Sequence, residues 1–208
     1  MDPDAPSSAV ADTTPAAIDN RLFVLVLQHP QERKAPLSTA PATVATLGRA
    51  KLVIGLSWPN LARIVGRAVD PSRWAVLYLG SVRPAALGRP GEILLLDRQG
   101  AAVADPEPVL RDLAGIVLLD GSWSQAKTLW WRNPWLLKLP RLVLNPPRPA
   151  RLGRLRREPR REALSTIEAA ALVLRRLEAG PAAADALAAE LDRLIAAARP
   201  SAHPTVSA

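Results

Sequence analysis

Apolar and polar positions fall in blocks along this chain, and the blocks predict its elements. Arg21-Leu-Phe-Val-Leu-Val-Leu27 is an almost unbroken apolar run. A run of that length, apolar on both faces, predicts a strand buried in a parallel sheet. Similar runs predict strands over 52–56, 74–79, 92–96, 116–119 and 141–144. Helices are expected between them, over 41–51, 61–68, 106–113 and 122–132. The last of these has the clearest start, because Ser122 can cap it and Gln125 three residues on completes a capping box. Pro134 ends it. Ser165-Thr-Ile-Glu168 is a second capping box, followed by Ile167, Ala171, Leu174 and Leu177 at helical spacing. Gly180-Pro181 closes that helix, and Ala182 to Ala198 predicts one more, with Leu187, Leu191 and Leu194 on one face. Strands alternating with short helices predict an α/β domain, its mainly parallel sheet flanked by helices.

At 208 residues, 49% of them hydrophobic, the chain suits a single globular domain, expected over 21–198. Residues 1–20, rich in Ala, Pro, Ser and Thr, read as a disordered tail, and 199–208 as a second tail. The first 20 residues lack the basic start and apolar core of a signal peptide, and no apolar run is long enough for a membrane span. A cytoplasmic, membrane-free protein is the expectation. Cysteine is absent and only His29 and His203 occur, so no metal site is expected.

Charge changes the picture through its distribution. The formal net charge is +8, and Arg132 to Arg161 holds ten basic residues against one acid, Glu158. The rest of the chain is therefore close to neutral. A basic stripe on a neutral body points to a polyanion such as nucleic acid. The competing reading is a solvated surface in a chain that uses Arg far more than Lys. Asn145 to Arg161 also carries five Pro or Gly residues, which predicts an extended loop. Loops of that length are functional or disordered.

The candidate chemistry gathers at strand ends. Asp120 should stand at the carboxyl end of the 116–119 strand, against the N-terminus of the helix that follows. In open α/β sheets that edge binds ligands. A turn-making Asp-Gly that favours the helix dipole explains the residue equally well. His29 and Glu32 follow the first strand and could orient a substrate or merely cap the next element. Trp123 could stack on a base or adenine, or pack in the core. Ser165 and Thr166 could hold an anion at a helix N-terminus, or simply cap it.

Taken together, several stretches resemble the DTW-domain family, named for an Asp-Thr-Trp-like motif after a strand. The matching pieces are His29-Pro-Gln-Glu32, Asp97 to Gly100 after the run Ile93 to Leu96, Asp120-Gly-Ser-Trp123 with Ala126, Leu155-Arg-Arg-Glu-Pro159, and Leu164-Ser-Thr-Ile-Glu-Ala169. They occur in family order over about residues 21–178. The resemblance implies a SPOUT-like knotted fold. It implies a tRNA-uridine aminocarboxypropyltransferase that uses S-adenosylmethionine, makes acp3-uridine and releases methylthioadenosine. Within it, Asp120 would be the catalytic base. Leu96, Asp97, Leu119, Ser122, Trp123, Ser165 and Thr166 would hold the cofactor. His29, Glu32, Arg148, Arg151, Arg154, Arg156 and Arg157 would hold RNA. This chain departs from the family in lacking N-terminal cysteines, in carrying Ser122 for the motif's Thr, and in having Arg151-Leu-Gly-Arg154 where an aromatic is common. An RNA methyltransferase on the same fold, or a non-catalytic RNA-binding protein, are the alternatives. The oligomeric state is not predicted.

Overall fold

A computed structural model describes residues 16–35, 37–77, 92–146, 148–152 and 164–198. Among them are six strands, β1 (Phe23–Gln28), β2 (Ala50–Ile54), β3 (Trp74–Leu77), β4 (Ile93–Leu96), β5 (Gly115–Asp120) and β6 (Arg141–Leu144). Six α-helices accompany them: α1 (Ala40–Thr46), α2 (Leu61–Val65), α3 (Glu107–Asp112), α4 (Trp123–Arg132), α5 (Thr166–Leu177) and α6 (Ala182–Ala198). The strands form one sheet in the order β2-β1-β5-β3-β6-β4. Every pairing is parallel except β4 with β6. The expected α/β architecture is therefore present. Tracing a knot needs the path of residues 78–91 and 153–163, and both stretches lie outside the described residues.

Strand alternation divides the core into two faces. Val24, Val26, Ala75, Ile116 and Leu118 point to one face, where Leu110, Ile167, Val173, Leu174, Leu187 and Leu191 cover them. Leu25, Leu27, Trp74, Val76 and Val117 point to the other, under Leu61, Ile64, Trp135, Leu136 and Leu139. Burying each large apolar side chain contributes about 1.5–3 kcal/mol. With both faces covered, the central strands have no polar side to show, which is why β1 and β5 read as unbroken apolar runs. Gly115 opens β5 because Trp74 lies across it. A Cβ there would stand 2.7–2.8 Å from the indole ring. Gly115→Ala would thus displace the largest fully buried side chain.

Two boundaries differ from the sequence pattern. The helix expected over 41–51 stops at Thr46, since Ala50 and Lys51 pair with Val24 and Leu25 as part of β2. Pairing with a central strand outweighs the local helix preference. Residues 16–20, expected in the tail, belong to the domain. Ile18 bridges Leu47, and buried Asn20 bonds to Leu22 and Arg49. Pro134–Lys138, not anticipated, forms a 3₁₀ turn that supplies Trp135 and Leu136 to the core.

Candidate functional site

The chain leaves β1 through α1, which packs with α5 and α6 on one face of the sheet. It leaves neighbouring β5 through α4, whose Trp130 packs against the opposite face. Adjacent parallel strands whose connections depart to opposite faces open a crevice at their carboxyl ends. Gln28 and Asp120 stand side by side there, as the last register pair of β1 and β5. Both have the parity of Val24, Val26, Ile116 and Leu118, so both point toward the face covered by α5.

The carboxylate of Asp120 is 4% exposed and accepts on both oxygens. The Gln28 side-chain amide donates to one at 2.8 Å, and the Thr166 hydroxyl donates to the other. Gln28 also donates to the Ser38 hydroxyl at 3.0 Å. The N–H of Ile167 donates to the Thr39 hydroxyl at 3.3 Å. A buried polar layer thus ties β1, β5, the start of α1 and the start of α5 together, and its donors and acceptors satisfy one another as burial requires. The helix N-terminus that meets the Asp120 side chain is that of α5, 46 residues downstream. Helix α4 was the expected neighbour, but strand parity turns the side chain to the other face.

Where the strands part, the backbone is tight. His29 N–H donates to the Asp120 carbonyl at 3.0 Å. Gly121 follows at φ 151°, and a Cβ on it would meet Gln125 at 2.9 Å and His29 at 3.4 Å. Glycine is required by both the dihedral and the space. Ser122 then caps α4: its N–H donates to Gln125 Oε1 at 2.6 Å, and Gln125 N–H returns a long bond to the Ser122 hydroxyl.

The other sequence candidates divide clearly. His29 uses Nδ1 to accept from Gln31 N–H and so caps the short turn Pro30–Lys34, in which Glu32 is buried. Leu119 is half-buried against the cluster beneath α2 and the Pro134–Lys138 turn. Trp123 is 39% exposed at the rim, so it is not a core residue. Ser165 is buried and bonded to Glu168, whereas Thr166 reaches Asp120. Leu96 and Asp97 are not brought to this edge. Antiparallel β4 places Leu96 opposite Arg141, level with Val76 and Val117, and three strands away from β5. Asp97 then turns on itself, accepting from Gln99 and Ala101 N–H at 2.9 Å each. Arg148 is exposed, and the Arg151 guanidinium pairs with Asp192. Arg154, Arg156 and Arg157 lie outside the described residues.

Sequence reasoning did not bring Gln28, Ser38 or Thr39 to the site. The available signal was a polar residue ending an apolar strand at the same parity as Asp120. It also missed Asn133, fully buried, whose amide makes four bonds. Its Nδ2 donates to the carbonyls of Leu56 (3.0 Å) and Leu129 (2.7 Å). Its Oδ1 accepts from Trp58 N–H (2.9 Å) and Trp135 Nε1 (3.3 Å). Together with the Ser57 hydroxyl on the Arg132 carbonyl, it fastens the end of α4 to the loop after β2.

The family model of the DTW domain matches residues 5–199. The chain is similar to tRNA-uridine aminocarboxypropyltransferase 2 of Mus musculus, 29% identical over 168 residues, which cover 79% of this chain and 50% of that protein. It is similar also to tRNA-uridine aminocarboxypropyltransferase 2 of Macaca fascicularis, 28% identical over 168 residues with the same coverage. The chain spans about half the length of these curated relatives. No solved structure matches it.

Proposed function

The chain belongs to the DTW-domain family, and from that premise we propose that it modifies tRNA, transferring the 3-amino-3-carboxypropyl group of S-adenosylmethionine to a uridine and releasing methylthioadenosine. Its relatives' names support the reaction class. The observation that carries the reading is the meeting of Asp120 with the N-terminus of α5 at the β1–β5 edge, with Trp123 on the rim.

The groups at this edge match the donor chemically. The start of α5 faces the Asp120 carboxylate, and its dipole together with the Thr166 hydroxyl favours the ionised form that a base needs. The exposed ring of Trp123 suits a flat heterocycle. When bound, S-adenosylmethionine supplies a carbon made electrophilic by its sulfonium and able to leave sulfur with the aminocarboxypropyl group. Asp120 takes the proton that the uridine nitrogen loses as it bonds to that carbon. Gln28 and Thr166 hold the carboxylate in one orientation, so that positioning rather than side-chain variety supplies much of the rate. Arg148 and Arg151, with Arg154, Arg156 and Arg157, contribute phosphate contacts.

A second reading has an observation of its own. Asp120 is almost fully buried and doubly bonded, which is also how a purely structural staple looks. The reaction itself is tested by incubating the protein with S-adenosylmethionine and total tRNA and identifying the nucleoside product. Methylthioadenosine is expected. Adenosylhomocysteine would instead make the protein a methyltransferase, and neither product with retained RNA affinity would make it a non-catalytic RNA binder.

A further inference from the structure

We infer that the outer face of α4 is a docking track for unpaired nucleotides of the RNA substrate, an inference that takes its partner from the tRNA reading above. Trp123, Lys127 and Trp131 follow one another at i, i+4 and i+8, on one side of the helix and about 12 Å from end to end. Trp131 is 74% exposed, and Lys127 and Arg132 are exposed beside it. The buried side of the helix is provided by Ala126 and Leu129. Trp130 turns inward, packs against the core, and lies under the Arg141 guanidinium at 5.6 Å. The core therefore has its tryptophan, and Trp131 is left over for something outside it.

The chemistry of the face selects a nucleic acid over an apolar partner. Helix α4 itself carries two cations, Lys127 and Arg132, both exposed, and no acid. Aromatic rings interleaved with cations are how proteins hold single strands: each ring stacks on a base of any identity, and each cation meets a phosphate. The track adjoins the candidate site: Trp123, given above to the donor's heterocycle, stands three residues beyond Asp120, and Lys127 and Trp131 carry the same helix side onward for the RNA. The track's far end is anchored, because the Asn133 bonds tie it to the loop after β2. A flipped or looped-out uridine delivered to Asp120 needs its neighbours held unstacked nearby, and this face is placed to hold them.

The test uses the full chain with two fluorescein-labelled probes, a transcribed tRNA and an oligouridylate. Trp131→Ala should weaken both about 5- to 100-fold, the usual loss for one stacking ring. Trp131→Phe should restore most of the affinity, and the salt slope of Trp131→Ala should stay unchanged. Lys127→Ala should make that slope shallower by about one. Circular-dichroism melting confirms that the variants are folded. In turnover with tRNA, Trp131→Ala should raise KM and leave kcat alone. Wild-type affinity in Trp131→Ala overturns the inference, as does a wild-type chain that binds neither probe, or a Trp131 effect on self-association alone. Methylthioadenosine release by the wild type is scored separately, so the transfer reaction and the track can fail independently.

Discussion

Helices α4 and α5 begin with the same local device and are used in opposite ways. Both start with a serine three residues ahead of a Gln or Glu that bonds back to the serine N–H. In α5 the device is sunk into the protein. Buried Glu168 accepts from Ser165 N–H at 3.0 Å, Ser165 Oγ at 2.5 Å and Arg151 N–H at 2.6 Å. The next two residues bond to Asp120 and Thr39. In α4 the device lies at the rim. Gln125 extends its amide to Gln31 at 3.3 Å, and Trp123 next to the cap is exposed. A capping box fixes where a helix starts, but tertiary burial decides whether that start becomes a floor or an opening. Here α5 forms the floor under the Asp120 carboxylate and α4 the open side.

The difference can be broken experimentally. Glu168→Ala strands three donors, two of them on buried Ser165, and should cost about 1–3 kcal/mol in denaturant unfolding. Gln125→Ala removes bonds at a half-exposed cap and should cost only about 0.5–1.5 kcal/mol. Equal losses would mean that the two helix starts are equally buried in solution. The smallest stability change is expected for Arg151→Ala. The Arg151–Asp192 pair is about half exposed on both sides, and such pairs contribute little. Combined with Arg154→Ala and Arg157→Ala, it should show a shallower salt dependence of RNA binding, by roughly 0.7–0.9 for each phosphate no longer neutralised. An unchanged slope would reduce the basic stripe to a solvated surface.

The elements that reproduce the sequence pattern are those whose signals are local. The two capping boxes, the apolar runs of β1 and β5, and the stop at Pro134 each need only a few neighbouring residues to be recognised. What escaped was set by pairing between distant segments. Ala50 and Lys51 joined β2 because β1 lies beside them. Leu96 and Asp97 moved away from the site because β4 is antiparallel, a choice that no residue in Ile93–Leu96 announces. The site was legible at Asp120 and Thr166 as separate candidates. Their contact was not, because it joins residues 46 apart through a side chain whose direction depends on strand parity. Asn133 was invisible for the same reason, as its bonds to Trp58 and Leu56 depend on how α4 meets the loop after β2.

The central claim is that Asp120 moves a proton and does not merely staple β1, β5 and α5. Asp120→Asn separates the two directly. Its carbonyl can still accept from Gln28, and its amide can donate to the Thr166 hydroxyl once that hydroxyl rotates, so the fold keeps its bonds. Melting temperature, S-adenosylmethionine affinity and aminocarboxypropyl transfer should be measured on one preparation. With Asp120 as the base, turnover falls by roughly 10²–10⁴-fold while affinity and melting temperature stay close to wild type. Near-wild-type turnover in a destabilised protein would contradict that role and leave Asp120 as a structural residue.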